Sequence, residues 1–314
     1  MGFPKGSILG PLLFNIFIND IFLFIDESKI ANYADDNTLY TVDRDAIGVI
    51  DTLEREILTL LNWFRDNEMK PNEAKSNLLV SKVENLSINV GNEMVHASTF
   101  VKLLGITIDY KLNFTEHINN ICRKASQKFH ALARVAKYIN SDKLRIIMKA
   151  FFDSQFNYCP LVWMFHSRTL NNKINRLHER TLRLVYKNQI LIFQELLDVD
   201  GPSTIHHRNL QKLATEMYKV RNKLSPIPIQ HLFTEINTSY NLRNQRVWET
   251  SNIHTSNYGT ASITYLGPKT WDILPVSIKS SESLTEFKMK VKNWKPVGCI
   301  CRLCKSYIAN VGFM

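Results

Sequence analysis

Asp35 and Asp36 stand side by side within Asn32-Tyr33-Ala34-Asp35-Asp36-Asn37, a pair of carboxylates able to hold a hard divalent cation. Mg²⁺ takes a few anionic oxygens and fills its remaining positions with water and substrate phosphate, which suits adjacent acids at an exposed turn. A bare acid pair is also what a solvated hairpin turn looks like, so its neighbours must decide. A second cluster, Cys299, Cys301 and Cys304, places three thiols within six residues. These are candidate Zn²⁺ ligands, but zinc normally takes four. Cys122 and Cys159 lie far back in the chain, and the adjacent His206 and His207 cannot share one helical face, so no fourth ligand is visible and reduced thiols are the competing reading. Third, Lys173, Arg176, Arg180, Arg183 and Lys187 recur at 3, 4, 3 and 4 residues beside an apolar seam of Ile174, Leu177, Thr181 and Leu184. A helix with that pattern docks one side on a core and offers the other to nucleic-acid phosphate, or to plain solvent.

The elements that must position these groups follow from periodicity. Ile30 and Tyr33 before the acid pair, and Thr38 to Val42 after it, predict strand, tight turn, strand, with Asn and Asp tolerating the turn backbone. Before it, Ile8 to Phe24 reads as a helix capped by Ser7. Asn15 and Asn19 put a polar stripe on that helix, which argues for a buried globular element rather than a signal peptide or membrane span. Apolar residues from Ala46 to Phe64 at spacings of three and four predict an amphipathic helix over 45–66. A turn at 69–76, a strand at 77–81, a hairpin around Gly91-Asn92 and a short strand pair broken by Gly105 complete an α+β front. Helices over 115–139, 142–156, 170–187 and 205–223 follow, then an irregular stretch rich in Asn, Ser and Thr, and a last basic helix over 283–294.

Charge divides the chain the same way. Residues 1–114 carry 10 Lys/Arg against 16 Asp/Glu, and residues 115–314 carry 29 against 13. An acidic front and a basic back point to a polyanionic partner engaged mainly by the back. Apolar content of 45% and charged content of 22% exclude a disordered chain. Five Cys, an odd number, argue against a secreted disulfide framework and for an intracellular protein, of nucleus or cytoplasm.

Four segments taken together form an ordered series: Gly2-Phe3-Pro4-Lys5-Gly6-Ser7 running on to Phe14, Tyr33-Ala34-Asp35-Asp36, Pro71 to Ser76, and Lys102-Leu103-Leu104-Gly105-Ile106. That series resembles the back half of the palm of a reverse transcriptase, of the kind encoded by non-LTR retrotransposons. Four motifs in order are far more specific than any one alone. The resemblance runs motif by motif through about residue 114 and more weakly to Trp294-Lys295-Pro296, the cysteines and Val311-Gly312-Phe313. It implies an α+β fold divided into a partial palm at 1–114, a helical, basic, thumb-like region at 115–224 and an irregular C-terminal region with a Cys-rich tail at 225–314. It also implies an RNA-directed DNA polymerase working on an RNA template, a DNA primer and dNTPs, with no membrane, through a two-metal Mg²⁺ site.

By that resemblance Asp35 is a direct metal ligand and Asp36 a nearby, less direct one. Lys75 meets the leaving phosphate. Tyr33 lies beside the primer end, and Leu104 and Gly105 belong to the primer grip. Gly2, Pro4, Lys5 and Gly6 lie against nucleotide and template, where glycines let backbone come close. The family usually has Gln where this chain has Lys5, and a Lys cannot offer an amide's donor and acceptor pair. The family's palm begins with an earlier strand that carries another metal-binding Asp, preceded by the fingers. Neither is in these 314 residues, so the expectation is an N-terminally truncated chain that does not polymerise alone, with a non-catalytic nucleic-acid-binding protein as the alternative.

Overall fold

A computed structural model describes residues 7–81, 85–201, 203–236, 247–250, 258–296, 301 and 303–304. The chain divides into two compact units, Met1–Leu112 and Asn113–Met314. Its class is α+β, with small antiparallel ladders in the first unit and helices dominating the second.

In the first unit, α1 (Gly10–Ile18) tightens into a 3₁₀ turn (Asn19–Phe24), followed by β1 (Lys29–Tyr33), β2 (Asp36–Tyr40) and α2 (Ala46–Asp66). A 3₁₀ turn (Glu73–Lys75) precedes β3 (Ser87–Val90), β4 (Glu93–His96), β5 (Phe100–Leu103) and β6 (Ile106–Asp109). The described strands of this unit form three separate two-stranded ladders, β1–β2, β3–β4 and β5–β6. The strand expected at 77–81 is reduced to one parallel bridge between Leu78 and Ala97. The amphipathic helix stands as its spacing implied. The Asp45 side chain caps α2 by accepting from the amides of Ile47 and Gly48, at 2.6 and 3.0 Å. Leu60, Trp63 and Phe64 of α2 close over Ile18 and Ile21, while Leu53 packs with Leu78, Ile88 and Val90.

The first helix departs from expectation. It starts at Gly10, with Leu9 in the cap position and no side-chain cap, because Pro11 sets the backbone of its first turn. Ser7 is not the cap. Nor is the helix buried: Ile18 and Ile21 face the core, but Leu12, Ile16 and Leu23 are 57, 65 and 80% exposed.

The second unit runs α3 (Thr115–Val135), α4 (Ser141–Phe151), α5 (Pro160–Trp163), α6 (Arg168–Tyr186), α7 (Phe193–Asp200), α8 (Ile205–Arg221) and α9 (Ile227–Gln230), then α10 (Ile263–Asp272), α11 (Val276–Lys279) and α12 (Leu284–Lys292). Helices α5 and α7 were not legible in the sequence. Among the described residues beyond 225, α10, α11 and α12 gather on α8 around Met217, Tyr218, Trp271, Phe287 and Val291. Local propensity hid α10, which contains Gly267 and Pro268, both poor helix formers. Tertiary burial overrides that: a Cβ on Gly267 would lie 2.7 Å from Met217 Sδ, so the two helices meet only where a side chain is missing. Two half-buried ion pairs add specificity, Arg208 Nη1 to Asp153 at 2.6 Å and Arg145 Nε to Asp200 at 2.8 Å. Among the described residues, no helix is long and apolar enough to cross a membrane.

Candidate functional site

The acid pair stands on the tip of the β1–β2 hairpin. Tyr33 pairs with Asp36 across the ladder, leaving Ala34 and Asp35 as a two-residue loop. Two-residue hairpin loops need a positive φ at the first loop position, normally supplied by Gly. Here Ala34 takes it, at φ 53°, rather than an Asn or Asp, a conformation that costs an L-residue roughly 1–2 kcal/mol. The ladder alternates, Ile30 and Asn32 turning inward while Tyr33, Asp35 and Asp36 are exposed. Asp35 and Asp36 thus form an open carboxylate pair, and among the described residues neither is in an ion pair. Two such acids suit a hydrated divalent cation and offer fewer anionic oxygens than two ions require.

Lys75 and the Leu104–Gly105 turn stand on other turns of the same unit. Lys75 is exposed at the end of its 3₁₀ turn. Glu73 ties that turn to the β3–β4 hairpin by accepting the Asn92 amide at 3.1 Å. Leu104 and Gly105 are the two-residue loop of the β5–β6 hairpin, both left-handed, at φ 46° and 84°. Glycine serves the second position without strain. The candidates Gly2, Pro4, Lys5 and Gly6 fall outside the described residues.

The basic stripe divides in two. Lys173, Arg176 and Arg180 are exposed and, with Arg123 of α3, line a groove of about 730 Å³ between α3 and α6 whose walls hold no carboxylate. Arg180 also lies over the Phe129 ring, and Lys173 donates to Asn119 at 2.7 Å. Arg183 and Lys187 do not extend the stripe. Arg183 pairs with Glu179 at 2.8 Å and donates to the Gln189 carbonyl, and Lys187, past the helix end, donates to the Ile139 carbonyl. The rest of the helix is core: Leu170, Ile174, Leu177, His178, Thr181, Leu182 and Val185 are buried, Leu170 and Leu177 also lining the groove, whereas Leu184 is not buried. Cys122 also lines the groove, and burial pushes its thiol up to about 11, so it remains a protonated core residue.

The cysteine cluster has a partner that adjacency in sequence concealed. His206, in the first turn of α8, brings Nε2 to 3.2 Å from Cys301 Sγ, and the ligand atoms of His206, Cys301 and Cys304 all lie within 4.8 Å of one another. Adjacency to His207 is no obstacle, because only one of the two side chains needs to face the tail. Cys299 falls outside the described residues.

Residues 1–108 match the family described as reverse transcriptase (RNA-dependent DNA polymerase). The RNA-directed DNA polymerase from mobile element jockey of Drosophila melanogaster is 26% identical over 197 residues, 59% of this chain and 22% of that protein. The probable RNA-directed DNA polymerase from transposon BS of the same species is 25% identical over 199 residues, with the same shares. The Pol polyprotein from type-1 retrotransposable element R1 2 of Nasonia vitripennis is 22% identical over 177 residues, 52% of this chain and 43% of that protein. No solved structure matches. The chain spans about a fifth of the length of the jockey and BS relatives. The family match covers the α+β front that carries the paired acids on their hairpin tip. Within the matched region, the chain is similar to the RNA-directed DNA polymerases of these mobile elements.

Proposed function

We propose that this chain is the metal-binding palm portion and following thumb-like portion of an RNA-directed DNA polymerase, acting in the cell on an RNA template, a DNA primer and dNTPs. The observation that carries the reading is the open carboxylate pair Asp35 and Asp36 on a hairpin whose Ile30 and Leu39 pack against the core. Asp35 and Asp36 would hold Mg²⁺, which when bound supplies Lewis-acid activation of a primer 3′-hydroxyl and charge relief for pyrophosphate. Tyr33 flanks the pair, Lys75 offers a point charge to phosphate, and the Leu104–Gly105 tip offers close backbone to the primer. The α3–α6 groove binds duplex backbone through Arg123, Lys173, Arg176 and Arg180. Because two adjacent carboxylates underbind a pair of ions, these 314 residues by themselves extend a primer at background level. They then act as a nucleic-acid-binding protein through the groove.

A graft tests the carboxylate assignment. Residues 29–40 placed at the matching hairpin of the jockey polymerase should preserve primer extension on an RNA template, and Asp35→Asn within the graft should lower it by about 100-fold or more. An Asp35→Asn graft with unchanged extension would overturn the assignment. Extension by the 314-residue chain alone, abolished by Asp35→Asn, would overturn the expectation of background activity.

A further inference from the structure

We propose that His206, Cys301 and Cys304 hold a Zn²⁺ ion that fastens the cysteine-bearing tail to the start of α8. His206 and Cys304 are buried and Cys301 is half-buried, and their ligand atoms converge within 4.8 Å. A tetrahedral zinc with ligands at about 2.0–2.3 Å has edges of roughly 3.5 Å, so small side-chain movements bring these three into its shell. The mixed nitrogen and sulfur set selects zinc over the hard cations that suit Asp35 and Asp36. The Cys304 amide donates to Cys301 Sγ at 3.3 Å, the kind of outer-shell hydrogen bond that steadies a metal-bound thiolate.

The chain is led to this point rather than brushing past it. Gln211, farther along α8, donates to the carbonyls of Lys292 and Trp294 at 3.1 and 2.9 Å, holding the segment after α12 along the same helix that carries His206. Cys301 and Leu266 then join the apolar cluster around Leu210 and Leu213. Three protein ligands among the described residues leave one position for a further donor. Zinc loading releases the two thiol protons to solvent, because both cysteines bind as thiolates.

The full chain, purified under reducing conditions, stripped with a chelator and titrated with Zn²⁺ or Co²⁺, tests this. One metal per chain is expected, with thiolate-to-cobalt charge-transfer absorption and the visible bands of a tetrahedral ion. His206→Ala and Cys304→Ser should each weaken metal binding by about 100-fold or more. Cys159→Ser, at an exposed cysteine outside the cluster, should leave it unchanged. His206→Cys separates ligation from folding, because a ligand swap keeps one cobalt and adds charge-transfer intensity. A wild-type chain that takes up no stoichiometric metal overturns the proposal. So does a His206→Ala variant with the wild-type cobalt spectrum, or a His206→Cys variant whose intensity does not rise.

Discussion

In the first unit the acid pair stands on a five-residue antiparallel ladder, and its presentation needs only the register Tyr33 to Asp36 and one left-handed residue, Ala34. In the second unit Lys173, Arg176 and Arg180 stand on a helix held in place by a buried face of seven residues, drawn from packing against α3, α4, α7 and α8. The contrast teaches that the acids are positioned locally and the cations globally. Replacing Asp35 touches no core, whereas the geometry of the basic groove is inseparable from the stability of its unit. The opposite charges of the two units sharpen this, since only the basic one attracts a polyanion without help from a metal.

The largest expected effect lies beneath the cations. Ile174, 1% exposed on α6, anchors the face opposite the groove, and Ile174→Ala should lower stability by about 2–5 kcal/mol in denaturant titration. A loss under about 1 kcal/mol would mean that the stripe does not depend on its core.

Next comes the histidine in that face. His178 is fully buried between Phe152 and Phe193, with Arg208 Nη2 at 3.0 Å from its Nε2 and Asp153 beyond Arg208. Burial, and then the Arg208 charge, hold its pKa well below 6.5. The unfolded chain therefore binds a proton that the folded chain refuses, so this group's stabilisation is complete above about pH 6.5 and is lost as pH falls towards the folded value. The expected slope is about 1.4 kcal/mol per pH unit below 6.5, flattened in His178→Gln. Denaturant midpoints between pH 7 and 5 that match for both chains would contradict the assignment.

The smallest effect is at the surface. Arg176→Ala should leave stability within about 0.5 kcal/mol and reduce the salt dependence of duplex binding by about one phosphate contact, measured by filter binding across a salt series. An unchanged slope would make the groove a solubilising face.

Much of this was legible in the residues themselves. The hairpin ladders at 29–40 and 100–109, α2 and α6 follow from short-range periodicity and turn chemistry, and the structure moves their ends by only a few residues. The division of the stripe was not legible, because spacing shows which residues share a face but not that Glu179 and Gln189 claim Arg183. The exposure of α1 was hidden too, since an apolar run carries no record of how much partner surface awaits it.

The sequence alone determined the acid pair on its tip and the likeness to reverse transcriptases, since strand alternation, a two-residue loop and ordered motifs are all local patterns of sequence. Only the tertiary structure decided that His206 meets Cys301, 95 residues later, and that Gly267 and Pro268 lie inside a helix. Both depend on side chains brought together by burial across long stretches of chain, and no local pattern encodes a contact whose energy is gained only after the core has closed.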